Sequence, residues 1–456
     1  MKKSFLLFAV ILVISIVLCG CSQHPSDSAT QTSPAEELLI LPDGTTLDIN
    51  TSDLELNSLD SLDETIETLS KLSALNSLEI SAPLSAEDFA LLSKSLTSTI
   101  IDAEISVEGI SFKSNVQELD LKGFTPDKIQ KILPALPYLK ELVFVDLGDA
   151  VSSPELSLND LAILHDVCPQ AEFSFGFQLY GKEVSTFDTK LDLSYVKVED
   201  EGAAVFEAMK YMPHLEYVDM DSCGVANENM AKIRDAYPNV KVVWRIWFGT
   251  LYSVRTDVEC ILASKPDVAG CLDNGRADNL MYCTDVKYLD LGHNPQLDTI
   301  EFVRYMPKLE VAILAMDSWY DCSALANCTE LEYLEIQTTL VSDISALSNL
   351  KKLKHLNICW LFELDDITPL YGLTQLERLW IGCLTPIPDE QIEKMQSLAP
   401  DCVINTDTLD PTHDGWRFDE YGELVPRYKL LREQFGNYSN YAFAFYWNDP
   451  LCKEDF

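Results

Sequence analysis

Positive charge is scarce in this chain. Its 456 residues hold 33 Lys plus Arg against 73 Asp plus Glu, a net charge of −40. That balance disfavours nucleic acid and anionic membrane surfaces as partners. Chemistry-bearing motifs are missing as well. The six histidines (His24, His165, His214, His293, His355 and His413) include no H-E-x-x-H and no pair at ligand spacing. None of the thirteen cysteines stands in C-x-x-C, so no zinc or thioredoxin-type site is signalled. G-x-S-x-G, G-x-x-x-x-G-K-[ST] and a G-x-G-x-x-G after a strand are all lacking. The expectation is a chain with no catalytic residues, no metal and no cofactor. Asp410 to Gly415 (DPTHDG) has the composition of a metal loop, but a turn of Pro, Asp and Gly needs no metal.

Long apolar runs are also few. Phe5 to Leu18 is apolar except for Ser15 and follows Lys2 and Lys3. It is too short to span a bilayer comfortably and reads as the core of a signal peptide. The sequence that follows, Leu18-Cys19-Gly20-Cys21, resembles the lipobox of bacterial lipoproteins. The resemblance implies loss of residues 1–20 and a diacylglyceryl thioether on Cys21. The chain would then be lipid-anchored on the extracytoplasmic face of the cell membrane. Cys19 fits the modified position less well, because Leu18 before it is large. An ordinary secretory signal is the alternative, and on either reading the chain leaves the cytoplasm. Residues 21–36, polar and rich in Ser, Thr and Pro, read as a flexible tether. With Cys19 removed and Cys21 lipidated, an odd number of cysteines is left, which argues against a fully paired framework. Most read as small buried hydrophobes.

What the sequence does have is a repeat. From residue 286 a pattern L-x-x-L-x-L returns every 22 or 23 residues: Val286-Leu289-Leu291, Leu309-Ala312-Leu314, Leu331-Leu334-Ile336, Leu353-Leu356-Ile358 and Leu376-Leu379-Ile381. A second pattern keeps phase with it, Asp343-Ile344-Ser345-Ala346-Leu347 and Asp366-Ile367-Thr368-Pro369-Leu370. The x-L-x-L part alternates with period two and is a short strand with its leucines inward. The I-x-x-L-x-x-L part has a period near three and makes a short helical turn behind it. One copy cannot cover its own apolar face, so copies must stack. The register places Cys322 and Cys328 at core positions. Together these patterns resemble the internalin-like class of bacterial leucine-rich repeats. The fold class implied is α/β, a leucine-rich-repeat solenoid with a parallel β-sheet on the concave face and helices or short turns on the convex face.

The N-terminal half matches more loosely, at Leu75-Leu78-Ile80, Val116-Leu119-Leu121, Leu139-Leu142-Phe144 and Leu215-Val218-Met220. Cys223 and Asn294 fall where this repeat family places its ladder residue. Longer amphipathic stretches such as Glu199 to Tyr211 resemble the ribonuclease-inhibitor-like class, with a full helix per repeat. A helix running into proline and then alternation recurs at Asp160–Phe175, Asn229–Trp244 and Glu390–Ile404, and without the proline at 86–108. In two cases a hairpin follows, as at Phe173–Phe187 with Tyr180-Gly181 near its turn. The organisation expected is an irregular array over 37–245, a junction over 246–284, internalin-like repeats over 285–384, and a C-terminal cap with an aromatic-rich tail over 385–456. The tail's aromatics, from Trp416 through Tyr428 and Phe435 to Trp447, fit either a cover for the last repeat or an aromatic binding module.

The register also defines a surface. Residues flanking the inward leucines point to the concave side in columns. One column runs Tyr288, Val311, Tyr333, His355, Arg378, and its neighbour runs Asp290, Ile313, Glu335, Asn357, Trp380. Aromatic, apolar and charged residues together mark a recognition surface, unless the aromatics pack on one another across strands. The ligand-binding residues expected are therefore Tyr288, Asp290, Tyr333, Glu335, His355, Asn357, Arg378 and Trp380. Their partner would be an extracytoplasmic protein, peptide or glycan. A structural envelope protein without a ligand is the main rival reading. An enzyme with its site in the junction or the tail is the remaining one.

Overall fold

The computed structural model describes residues 38–248, 252–263 and 272–436, together with the backbone of 441–442. The signal peptide, Cys21, the tether, Cys271 and the tail aromatics Tyr438, Phe443, Phe445, Tyr446 and Trp447 lie outside the described residues. Among the described residues no helix is long and apolar enough to cross a membrane. The chain divides into two units, up to Ser114 and from Asn115 onward.

The first unit opens with an antiparallel hairpin, Leu38–Ile40 against Thr46–Asp48. Three parallel strands follow, Asp53–Leu56, Ser77–Leu84 and Ile100–Val107. The last of these turns back antiparallel as Ile110–Lys113. Leu75, Leu78 and Ile80 are buried, as the repeat register requires.

The second unit repeats that plan twice and then extends it. Parallel triplets lie at Glu118–Asp120, Phe144–Asp146, Glu172–Ser174 and at Lys190–Asp192, Tyr217–Asp219, Lys241–Val243. Each triplet ends in a hairpin, Gly176–Leu179 with Lys182–Ser185 and Arg245–Phe248 with Tyr252–Arg255. Tyr180 and Gly181 both have positive φ, the two-residue turn whose twist suits a hairpin. One buried hydroxyl closes every such excursion. Ser114, Thr186 and Thr256 accept the backbone N–H of Ala103, Phe175 and Trp244 at 3.1–3.2 Å. The parallel strand of the next coil begins four residues further on, at Glu118, Lys190 and Cys260.

After the second hairpin no further two-stranded hairpin follows among the described residues. Strands at Cys260–Leu262, Tyr288–Asp290, Val311–Ile313, Tyr333–Glu335, His355–Asn357, Arg378–Trp380 and Val403–Asn405 form one sheet. Tyr441–Ala442 adds itself beside Cys260–Leu262. The sheet thus starts inside the segment expected as a junction, where Val258, Ile261 and Ala263 hold the three inward positions. Convex segments shorten in step with coil length. Helices such as Leu158–Val167 and Asn227–Ala236 back the longer early coils, and 3-10 turns such as Ser345–Asn349 and Thr368–Gly372 back the short late ones. The Glu199–Tyr211 stretch yields a helix over Ala203–Ala208 and a 3-10 turn to Tyr211.

The core follows the repeat. Leu331, Leu334 and Ile336, and Leu353, Leu356 and Ile358, are fully buried. Cys322 and Cys328 are buried and unpaired, and burial pushes their thiols up to about 11 and about 12. The ladder positions also hold. Cys223 donates its S–H to the Leu193 carbonyl at 3.0 Å, and the Asn294 amide donates to Leu291 O at 2.5 Å and to Ala263 O at 3.4 Å. One register differs from expectation. Leu142, Val145 and Leu147 point inward, so Phe144 lies on the concave side rather than in the core.

Candidate functional site: a concave face and its own strap

The eight residues expected to bind ligand do lie on the concave side, in adjacent register. Tyr288 pairs with Val311, then Tyr333, His355 and Arg378; Asp290 pairs with Ile313, then Glu335, Asn357 and Trp380. Their exposure does not hold. Tyr288, Asp290, Tyr333, Glu335, His355, Asn357 and Trp380 are all buried, and Arg378 is half-buried. The cover is the chain's own C-terminal segment. After the last coil, residues 410–436 turn back across the face and bury Trp416, Tyr428, Leu431 and Phe435 against it.

The sequence builds this strap in two parts. Residues 410–425 are a set of turns that lower Trp416 between Tyr333 and Trp380, with ring centroids 5.3 and 5.4 Å away. Helix Pro426–Gly436 then presents Tyr428, Leu431 and Phe435 on one face, the i, i+3, i+7 spacing of an amphipathic helix. Phe435 meets Tyr288 edge-on at 5.8 Å. Pro426 at the start of the helix lacks only an N–H that would have had no intrahelical partner.

Polar contacts fix the strap's register. Glu335 is fully buried, and its carboxylate accepts from Arg417 through two guanidinium nitrogens, Nε at 3.1 Å. It also accepts from the Trp416 indole at 2.8 Å, the Gln337 amide at 2.9 Å and the Tyr333 hydroxyl. Burial alone would raise this carboxyl, but the Arg417 charge and these donors hold it below the usual carboxylate range. Asn357 donates to Pro411 O at 2.8 Å, and Arg378 donates to Gly415 O at 2.8 Å while its guanidinium lies 4.5 Å over the Trp416 ring. Arg432 pairs with Asp290 at 3.4 Å. His355 is pushed down to about 3 by burial and by the charges of Arg378, Arg427 and Lys354. It is therefore neutral at physiological pH, with Nδ1 accepting from Arg378 Nε at 3.2 Å.

The second concave column has a local cause that the alternation does not reveal. Asp120, Asp146, Asp192, Asp219, Asp290, Asn357 and Asn405 each accept the backbone N–H two residues ahead. These are Asx turns that end the strand. Ser174, Val243, Leu262, Ile313, Glu335 and Trp380 depart from that rule, and the last four of these face the strap.

Towards the N-terminal end of this unit the same face is open. Glu118, Asp120, Glu172, Lys190 and Asp192 are exposed, and Phe144 and Tyr217 are half-buried. Phe144 contacts Phe187 at 5.9 Å, and Phe187 contacts His214 at 5.0 Å. Lys122 bridges Asp146 at 2.6 Å, and Arg255 ties Asp219 and the Tyr217 hydroxyl at 2.9 and 2.7 Å. The outward position of Phe144 hid this cluster from the sequence reading. The Asp410–Gly415 loop serves the strap instead, with Thr412 N–H and hydroxyl both bonded to Asp410. No group of three potential metal ligands occurs among the described residues.

No family model and no curated protein matches the sequence. Solved structures do. An internalin, InlF, from Listeria monocytogenes is 16% identical over 81% of this chain and 86% of its own, with a TM-score of 0.27. A leucine-rich-repeat protein from Leptospira interrogans is 14% identical over 77% and 95%, also at 0.27. The functional domain of InlJ from Listeria monocytogenes, which includes a cysteine ladder, is 12% identical over 80% and 65%, at 0.24. The protein has a leucine-rich-repeat fold. Its late coils are of the internalin-like kind, with one inward L-x-x-L-x-L and one 3-10 turn each.

Proposed function

We propose that this protein is a lipid-anchored, extracytoplasmic binding module that takes a polypeptide ligand on the open part of its concave face. One observation carries the reading: the face already holds a polypeptide, its own residues 410–436, through aromatic and guanidinium contacts. The strands at Glu118–Asp120, Phe144–Asp146, Glu172–Ser174 and Lys190–Asp192 offer carboxylates and the Phe144–Phe187–His214 cluster without such a cover. Aromatics that are partly buried on one side and open on the other anchor interfaces. The sealed residues from Tyr288 to Trp380 act instead as the seat of the strap.

A photo-crosslinking side chain at Phe144 or Phe187, in the full chain on intact cells, tests this. Both sites are expected to capture a surface polypeptide, whereas Ile163 on the convex helix captures none. Equal capture from all three sites would sink the assignment.

The anchor is tested separately. Cys21→Ala is expected to abolish labelling by a fatty-acid probe and to release the chain or leave its signal uncleaved. Persistent labelling of that variant would exclude Cys21 as the attachment point.

A further inference from the structure

The edge where the chain leaves the strands of the late coils carries an apolar stripe that the concave-face reading does not use. Tyr320, Leu340, Phe362, Leu384 and Leu409 stand one per coil and are 66%, 64%, 61%, 43% and 70% exposed. Leu340, Phe362 and Leu384 each stand two residues after the left-handed residue of their coil and Tyr320 four after its own, and the backbone joins coils at this edge. Leu340 N–H donates to Trp319 O, Thr338 N–H to Cys359 O, and Cys383 N–H to Thr408 O, each at 3.1 Å. The loops beneath are fixed by residues held in the left-handed region, Met316, Thr338 and Trp360, with φ of 64°, 59° and 58°. Five large apolar side chains, one on each successive coil of one edge, exceed the scattered exposure of an ordinary surface.

Charge and spacing define the occupant. The five loop segments that bear the stripe (314–322, 337–344, 359–366, 382–390 and 406–410) contain no lysine and no arginine. They contain many carboxylates, among them exposed Asp321, Asp343, Glu363, Asp365 and Asp407. Asp321 and Asp343 also cap the turns that follow them, accepting from Ser323 and Ser345 at 2.8 Å, and their charge remains at the stripe's border. A second copy of this chain, net −40 and with the same border, would be repelled. Coils in such a sheet are roughly 4.8 Å apart, so five span about 19 Å. An α-helix presents one face residue about every 5.4 Å turn and drifts by only ~2 Å over four steps. An extended strand presents one about every 6.7 Å and drifts by ~8 Å. The helix keeps register.

We propose that this edge is a second interaction surface, which docks a basic amphipathic α-helix of another polypeptide. Its apolar side seats on Leu340 and Phe362, and its lysines and arginines meet the carboxylates along both borders.

The test uses the full chain in phosphatidylcholine nanodiscs, with empty nanodiscs subtracted, and fluorescence anisotropy of a labelled 18-residue peptide. The peptide has leucines on one helical face and lysines elsewhere. Saturable binding is expected that weakens with added salt. Leu340→Ser/Phe362→Ser should weaken it at least tenfold while melting like the parent, since both side chains are solvent-exposed. If that pair melts early, Tyr320→Ser/Leu409→Ser takes its place with the same expected loss. Substituting glutamates for the lysines, or placing a proline mid-peptide, should abolish binding. Unchanged affinity in the stripe variants would overturn the proposal. So would equal binding of the glutamate peptide, or a parent dimer in sedimentation that the stripe variants dissolve. The crosslinks expected at Phe144 and Phe187 are independent of every one of these outcomes.

Discussion

Glu335→Leu is expected to destabilise the protein by about 3–5 kcal/mol, with the strap as the first part to come free. The carboxylate sits in the apolar floor of the concave face and answers the Arg417 guanidinium, the Trp416 indole, the Gln337 amide and the Tyr333 hydroxyl. Removing it leaves Arg417, itself only 16% exposed, as a buried charge with no counterion. That is the costly way to break a buried pair. Arg417→Met is expected to cost a similar amount, because Glu335 is then stranded. The double variant Glu335→Leu/Arg417→Met should recover most of the loss, since an apolar pair of similar volume replaces two desolvated charges. Urea melts give the three stabilities, and limited proteolysis within 410–436 reports the strap. Additive losses in the double variant would mean that Glu335 and Arg417 act independently, against the geometry.

The contrast between the two sides of each late strand explains what was legible in the sequence. Leu334, Leu356 and Leu379 are inward because alternation has period two and the repeat fixes its phase; a stacked fold leaves them no other place. Tyr333, Glu335 and Trp380 are outward by the same argument, and they are outward. Their burial comes from a segment about 80 residues downstream of Glu335, which no local pattern reports. A signal existed in the tail. Tyr428, Leu431 and Phe435 give helix 426–436 an apolar face that must be covered, and the adjacent Trp416-Arg417 offers a cation with no local carboxylate of matching depth. The aromatic tail was open to two readings, an end cap or a binding module. The described part does something else, covering the sheet's open face rather than the end of the stack.

Other mismatches are local. The Leu139-Leu142-Phe144 match was a shift by three residues, possible because Phe144 is apolar yet faces out. The strand at Cys260–Leu262 carries a weak repeat signature because Ala263 fills the third inward position where a larger residue is usual. A buried hydroxyl four residues before each new parallel strand, at Ser114, Thr186 and Thr256, closes the hairpin that precedes it.

Asp317→Asn is expected to stabilise the protein, and by more as the pH rises. The side chain holds the ladder position that Asn294 holds one coil earlier. Its Oδ1 accepts the Asn294 N–H at 2.6 Å, while Oδ2 is buried with no partner. Burial, with a smaller push from Asp290, raises this carboxyl to about 8 against the bond from Asn294. Unfolded, it titrates near 3.9. Between those values the native state keeps a proton that the unfolded state has released, so raising the pH favours unfolding, by about 1.4 kcal/mol per unit. The penalty starts near pH 4 and stops growing near pH 8, where it reaches roughly 5 kcal/mol. Asparagine cannot titrate, keeps the acceptor for the Asn294 N–H, and supplies an N–H₂ like the one Asn294 directs at Leu291 O. His355 acts in the opposite sense. Its lowered pKa makes the native state refuse a proton that the unfolded state takes up below about 6.5, so its stabilisation is lost as the pH falls towards 3. That effect is common to parent and variant and cancels in their difference. Urea melts of both proteins from pH 4 to 9 should therefore show a gap that is small at pH 4, widens through neutrality and levels off near pH 8. A gap that stays constant across the series would mean that Asp317 titrates like an exposed carboxylate and is not sealed into the ladder.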